Sequence, residues 1–285
     1  LQTKYENIEH IELETTTACN LKCPLCLREN IEFENISSRS LTEIKSDILK
    51  FKNVKKITLS SAISEPTTFK DILPLIEFIK SLNIIVEIFT NGDLHDEKWW
   101  EKLANIMSSN DSITFTVCGS TQELHEKYRV NSNLDTVIRN ILAFEKINPI
   151  NCVSYLRFKY NEFDDLSVYN NKFNEFIIND TAQFNEYVYN KDNEFNMVDN
   201  LRKKYLNILK INKDKNIVCP AKLDNFLIIN CDGSLSPCDL FKMQTKDTFN
   251  LDFTNIENGN YDFCRECDIN TQKLLNIING DNVWM

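Results

Sequence analysis

The sequence predicts an α/β fold: a partial (β/α)6 barrel followed by a small, cysteine-rich α+β domain at the C-terminal end. Three observations carry this expectation. Strand-like and helix-like runs alternate from His10 to about Tyr189, one strand of the series is polar along one side, and the alternation stops where a second set of cysteines begins.

In chain order the strand runs are HIELETT (10–16), KKITLS (55–60), IIVEIFT (84–90), SITFTVC (112–118), CVSYLRFKY (152–160) and AQFNEYVY (182–189). Helical runs lie between them, among them SLTEIKSDILKF (40–51), FKDILPLIEFIKSL (69–82), HDEKWWEKLANIM (95–107) and LDTVIRNILAFEKI (134–147). Six such repeats make a parallel sheet flanked by helices, either an open sheet or a partial barrel. In both, ligands sit at the C-terminal strand ends. The fourth strand favours a curved sheet around a lumen for a polar ligand, because Ser112, Thr114, Thr116 and Cys118 share one side while Ile113, Phe115 and Val117 share the other. Residues 1–190 are expected to form this core, and 191–216 a linker with the helix LRKKYLNILK. Residues 217–285 form the second domain, in which NFLIINCDGSLSPC reads as a hairpin turning at Asp232-Gly233.

Composition narrows the function. With 285 residues, 42% of them apolar, and 18 Phe, the chain can bury a large core. A net charge of −10 disfavours nucleic acid as the main partner, since phosphate binding needs clustered Lys and Arg. No apolar run reaches the length of a membrane span, and LQTKYENIEHIELE lacks the layout of a signal peptide. Ten cysteines without an export signal point to a reducing, cytoplasmic setting in which grouped thiols bind metal.

The first group, Cys19, Cys23 and Cys26 in TTTACNLKCPLC, follows the first strand, where an α/β fold places its chemistry. A structural zinc site needs four closed ligands, and no fourth is near. Three thiolates on a four-iron cluster instead leave one iron open for an outside ligand.

Here LETTTACNLKCPLC resembles the radical S-adenosylmethionine (SAM) superfamily, including Glu14 five residues before the first cysteine and Asn20 directly after it. The resemblance extends over residues 10–189 and implies that the open iron chelates the methionine end of SAM. An electron then cleaves the sulfonium, and a 5′-deoxyadenosyl radical takes a substrate hydrogen. The family's GGEP stands here as SSAISEP (60–66), which makes Ser60 and Glu65 candidates for the methionine ammonium. FTNGDL (89–94) matches the family's TNG and implies that Thr90 and Asn91 lie near the cofactor; as residues alone it is also an ordinary Asn-Gly turn. Thr116 shares the lumen side with Cys118, and Arg157, with Lys159 as rival, is placed to pair with the cofactor carboxylate. TVCGSTQELHEKYR (116–129) stands where relatives read something like SVDG…ETHxxYR, so Cys118 replaces a common Asp. It is either a hydrogen-atom donor to a substrate radical or a small buried residue.

The later set, Cys219, Cys238, Cys264 and Cys267, resembles the twitch domain, a shortened relative of the SPASM domain, and implies one auxiliary four-iron cluster. Four-cysteine zinc is the structural alternative, and Cys231 is a spare that can exchange with Cys219. His10 and His95 read as surface or helix-start residues. The expected function is hydrogen abstraction from a small polar or sugar-like substrate and its oxidation through the auxiliary cluster, with flavodoxin or ferredoxin as electron donor. The alternatives are modification of a ribosomal peptide, by epimerisation or cross-linking with Cys118 as donor, and a non-catalytic metal-stabilised binding protein.

Overall fold

A computed structural model describes residues 8–26, 28, 38–60, 63–179, 194–195 and 225–236. Its centre is one sheet of eight strands: β1 (His10–Leu13), β2 (Lys56–Leu59), β3 (Ile85–Thr90), β4 (Ser112–Val117), β5 (Asn151–Leu156), β6 (Phe176–Asn179), β7 (Phe226–Ile229) and β8 (Leu235–Ser236). The order across the sheet is β6-β5-β4-β3-β2-β1-β7-β8. All neighbours are parallel except β7 and β8. The sheet is open, and the α/β expectation holds.

Two details differ from the sequence reading. The sixth strand is Phe176–Asn179, earlier than the AQFNEYVY run, which lies outside the described residues. The hairpin at Asp232-Gly233 forms, but β7 pairs in parallel with β1 from His10↔Phe226 to Leu13↔Ile229, so it extends the main sheet. An edge strand left with open N–H and C=O groups accepts such a partner, and sequence distance does not oppose it.

Five helices are described: α1 (Leu41–Ile48), α2 (Ile72–Ser81), α3 (Glu97–Ile106), α4 (Gln122–Tyr128) and α5 (Leu134–Ile147). Each helical run begins at a residue suited to its end. Ser40 and Glu43 make a reciprocal capping box for α1. Asp96, Thr121 and Asn133 each accept an N–H of the first turn of α3, α4 and α5. Pro74 sits in the first turn of α2, where its missing N–H costs no helical bond.

The core lies between sheet and helices. Ile11, Ile57, Val86, Ile113, Phe115 and Val153 from alternate strand positions are sealed against Ile44, Leu75, Trp100, Val137 and Phe144. Phe115 meets Trp100 at 5.1 Å and Phe144 at 6.1 Å between ring centroids. The opposite face carries His10, Glu12, Lys56, Thr58, Glu87, Ser112, Thr114 and Thr116, so the polar side expected for the fourth strand recurs on its neighbours.

Gly92, in the turn after β3, has φ of +71°, and a Cβ there would stand 2.8 Å from Phe115 Cδ1. That ring is held by Trp100 and Phe144 and has little room to retreat. Gly92→Ala is expected to lower stability by about 1–3 kcal/mol, read as a reduced urea midpoint. An unchanged midpoint would mean that the turn and ring relax freely.

Candidate active site

The parallel register brings the loops after β1 to β5 to one edge of the sheet, and the cysteine loop lies among them. It is built by local hydrogen bonds. The Ala18 N–H donates to Thr16 Oγ1 at 3.0 Å and the Cys26 N–H to the Cys23 carbonyl at 3.0 Å, while the Leu21 N–H points at Cys19 Sγ at 3.4 Å. Leu21 and Leu25 bury themselves with Cys23, Tyr128, Phe158 and Cys118, and Cys19 and Cys26 pack against this group.

Neighbouring loops grip this one. The Glu65 N–H donates to the Ala18 carbonyl at 2.9 Å, and the Lys22 N–H to the Val130 carbonyl at 3.1 Å. Arg28, which the sequence reading missed, donates to the Thr17 carbonyl and to the Ile63 carbonyl. Only its position two residues past Cys26 hinted at such a clamp.

Glu65, the candidate for the methionine ammonium, is engaged by the protein's own donors. Its Oε1 accepts from the Thr67 N–H (3.1 Å), Thr67 Oγ1 (2.7 Å) and Thr90 Oγ1 (2.7 Å), and its Oε2 accepts from the Asn91 N–H at 2.8 Å. Three of these donors converge on Oε1 and one on Oε2, so the protein holds the side chain, 3% exposed, with acceptor room left on Oε2. Asn91 is likewise engaged: its Nδ2 donates to Asn20 Oδ1 at 2.8 Å, and Asn20 Nδ2 donates to Asp93 Oδ2 at 3.2 Å. Glu65, Thr90 and Asn91 meet beside the cysteines and brace the loop.

The remaining candidates surround this frame. Glu14, buried at the end of β1, accepts from the Cys231 N–H at 3.3 Å and so joins the first loop to the β7–β8 hairpin. Ser60 directly follows β2, Thr116 lies on the helix-free face of β4, and Arg157 follows β5 with its N–H donating to the Asn179 carbonyl at 3.1 Å. His10 is no surface residue. Its Nε2 lies 2.8 Å from Thr58 Oγ1, which donates to Glu87 Oε2 at 2.7 Å, with Lys56 Nζ 3.4 Å from the same oxygen. His95 precedes α3, as expected, and is exposed. Cys219, Cys238, Cys264 and Cys267 lie outside the described residues.

Cys118 is fully buried. Its carbonyl accepts from Tyr160 Oη at 2.9 Å and Asn161 Nδ2 at 2.8 Å, and its N–H donates to His125 Nδ1 at 3.3 Å. The next carbonyl, of Gly119, accepts from Tyr169 Oη at 2.6 Å. Burial pushes the Cys118 thiol up to about 11, against the pull of the neighbouring Arg129 guanidinium, so it is a neutral thiol at pH 7.

Residues 13–165, more than half of the chain, match the Radical SAM superfamily. The chain belongs to the radical SAM superfamily. Over 101 residues, this radical SAM protein is 28% identical to the tungsten-containing aldehyde ferredoxin oxidoreductase cofactor-modifying protein of Pyrococcus furiosus, which covers 35% of this chain and 28% of the relative. Over 138 residues it is 30% identical to a "Probable GTP 3′,8-cyclase" of Methanococcus maripaludis, covering 47% of this chain and 44% of that one. The chain thus spans less than half the length of either curated relative. In fold it is similar to Streptococcus suis SuiB bound to precursor peptide SuiA, with a TM-score of 0.63 at 18% identity, over 85% of this chain and 62% of that one. AdoMet-bound anSMEcpe gives 0.58 at 19% identity, over 82% and 72%.

The cysteine loop fits the cluster this family implies. Burial pushes the Cys19 thiol up to about 11, with the charges of Glu65, Cys23 and Cys26 adding to the rise and the Leu21 N–H opposing it. Metal binding asks such thiols to give up their protons, and a cationic inorganic core neutralises the charge that burial resists. Among the described residues no group of three or more His, Cys, Asp or Glu converges on a single-ion position. A four-iron cluster asks for a wider spread, because each thiolate binds its own iron.

Two predictions follow from these clamps. Glu65→Gln turns one acceptor into a donor facing N–H and O–H groups, and is expected to cost about 1–3 kcal/mol, measured by urea unfolding of the metal-free chain. Unchanged unfolding with weakened SAM binding would instead return this carboxylate to the methionine ammonium. His125, 1% exposed, donates from Nε2 to Ser132 Oγ at 2.9 Å while Nδ1 accepts. Burial, then the charge of Arg129, push it down to about 3. The unfolded chain therefore takes up this proton first as pH falls through the ordinary value of about 6.5. Stability is full above that pH and declines toward the folded value. Wild type should lose about 2 kcal/mol between pH 6.5 and 5 that His125→Gln does not lose, as read from urea midpoints; equal losses would remove His125 as the cause.

Proposed function

We propose that this chain is a radical SAM enzyme that takes a hydrogen atom from a small polar or sugar-like substrate lying against the helix-free face of the sheet. The observation that carries the reading is the placing of Cys19, Cys23 and Cys26 just after β1, at the C-terminal edge of a sheet whose helix-free face is polar along β4 at Thr114 and Thr116. These three cysteines would hold a four-iron cluster, with SAM beside it. Bound together, the pair supplies one-electron cleavage of the sulfonium to a 5′-deoxyadenosyl radical.

The chain's own residues position and exclude. Glu65, Thr90, Asn91, Asn20 and Glu14 fix the loop. Ser60 and Thr116 offer hydroxyls toward the cofactor, and Arg157 offers a forked donor to its carboxylate. Cys219, Cys238, Cys264 and Cys267, in a twitch-like domain over residues 217–285, would hold a second cluster whose chemistry is one-electron transfer. Flavodoxin or ferredoxin is the donor class.

A peptide substrate is the second reading, supported by the fold neighbour solved with precursor peptide SuiA. It asks Cys118 to donate a hydrogen atom, and the burial of that thiol counts against it.

The test is iron, sulfide and zinc per chain after anaerobic reconstitution. About eight irons are expected, about half of them lost when Cys19, Cys23 and Cys26 become Ala, together with 5′-deoxyadenosine release. Replacing the four later cysteines by Ala should halve the iron and leave that release intact. About four irons with one zinc would remove the auxiliary electron-transfer role, and no iron would leave the metal-stabilised binding protein standing.

A further inference from the structure

Arg129 closes α4 beside the cysteine loop, and its contacts are unusual for a guanidinium. Its Nη1 points at Cys23 Sγ at 3.8 Å, and its Cζ lies 6.0 Å from the centre of the Tyr128 ring. The fully buried Cys118 side chain is its other close neighbour. Its Nε is buried with no hydrogen-bond partner, and among the described residues it makes no ion pair. Among the described residues, a side chain with five donors and a permanent charge thus faces sulfur on two sides and pairs with no carboxylate. A buried charge left this way is costly unless an anion completes the site.

We infer that Arg129 is the charge-balancing residue of the loop, with its guanidinium set against the net negative charge of a cluster held by Cys19, Cys23 and Cys26. This rests on the proposed cluster. Three thiolates outweigh the positive iron–sulfide core, and taking one electron from the flavodoxin- or ferredoxin-type donor deepens that negative charge by one. A fixed positive charge and an N–H donor next to the sulfurs favour the reduced form, since cluster potentials follow net charge and hydrogen bonds to sulfur. Cys118 matters here because its side chain sets no carboxylate beside the guanidinium. A carboxylate at the same place would pair with the guanidinium and cancel the charge that Cys23 otherwise feels.

The side chains around the guanidinium also explain why the charge stays aimed at the loop. Tyr160 and Asn161 hold the Cys118 carbonyl, and His125 holds its N–H. Gly119 lets α4 approach, since a Cβ there would fall 2.3 Å from the His125 nitrogen. The strand end and the helix end are locked together, with Arg129 between them and the cysteines.

The experiment is a redox titration of the reconstituted full chain, following the signal of the reduced cluster by electron paramagnetic resonance, with iron per chain measured alongside. To isolate the first cluster, it is done in the chain with Cys219, Cys238, Cys264 and Cys267 replaced by Ala. Arg129→Met and Cys118→Asp are both expected to lower the midpoint potential, Arg129→Lys to lower it less, and Cys118→Ser to leave it in place. If Arg129→Met assembles no cluster, Arg129→Lys decides together with Cys118→Asp: the lysine keeps the charge but loses the forked N–H donors, and its midpoint is expected between those of wild type and Cys118→Asp. A midpoint unmoved in Cys118→Asp would overturn the inference. So would an Arg129→Met chain that loses SAM affinity at constant midpoint, since the guanidinium would then serve the cofactor carboxylate. Wild type without iron would overturn the proposed cluster and this inference together, whereas unmoved midpoints in iron-loaded variants would overturn the inference alone.

Discussion

The arrangement depends on one buried carboxylate. Glu65 gathers donors from two segments, Thr67 in its own loop and Thr90 and Asn91 at the end of β3, and its backbone N–H reaches back to Ala18 in the cysteine loop. A carboxyl side chain at 3% exposure is tolerable only when hydrogen-bond donors meet it. That condition forces the three loops into one geometry. The cysteines inherit their placing from this knot, and the Asn20–Asn91–Asp93 chain tightens it from the other side.

A second knot lies at the end of β4. Asp164 accepts from the Ser120 N–H and hydroxyl and from Tyr155 Oη, Asn161 holds the Cys118 carbonyl, and His125 holds the Cys118 N–H. Between the two knots the hydrophobic cluster of Leu21, Leu25, Tyr128 and Phe158 seals the thiols on one side. The site is therefore stiff in its backbone. Its variable parts are charge and polarity: a guanidinium with sulfur neighbours, and the paired His10, Thr58, Glu87 and Lys56 on the helix-free face.

The β7–β8 hairpin adds a constraint from far along the chain. By pairing β7 with β1 and donating the Cys231 N–H to Glu14, it ties the region after residue 225 to the strand that carries the cysteine loop. A change in that hairpin would reach the loop through Glu14 and Thr15 without touching a cysteine.

Periodicity and capping chemistry by themselves determined the parallel α/β order, four of the helix positions, the polar side of β4 and the loop with three cysteines. These are local properties, written in spacings of two and of three to four residues and in residues such as Ser40, Asp96 and Asn133 that suit helix ends. The motif positions Glu65, Thr90 and Asn91 were legible too, but the hydrogen bonds that join them were not. Whether a carboxylate is open to a ligand or filled by its own protein depends on donors some 25 residues away, and only the tertiary structure counts them. The same holds for His10, which looks peripheral in the sequence and faces Thr58 across the sheet. It holds for β7, whose partner lies more than 200 residues earlier, and for Arg129, an ordinary helix-end arginine until the fold sets it against Cys23 and Cys118. Long-range pairing carries no local signature, so the partners of a buried charge are decided in three dimensions.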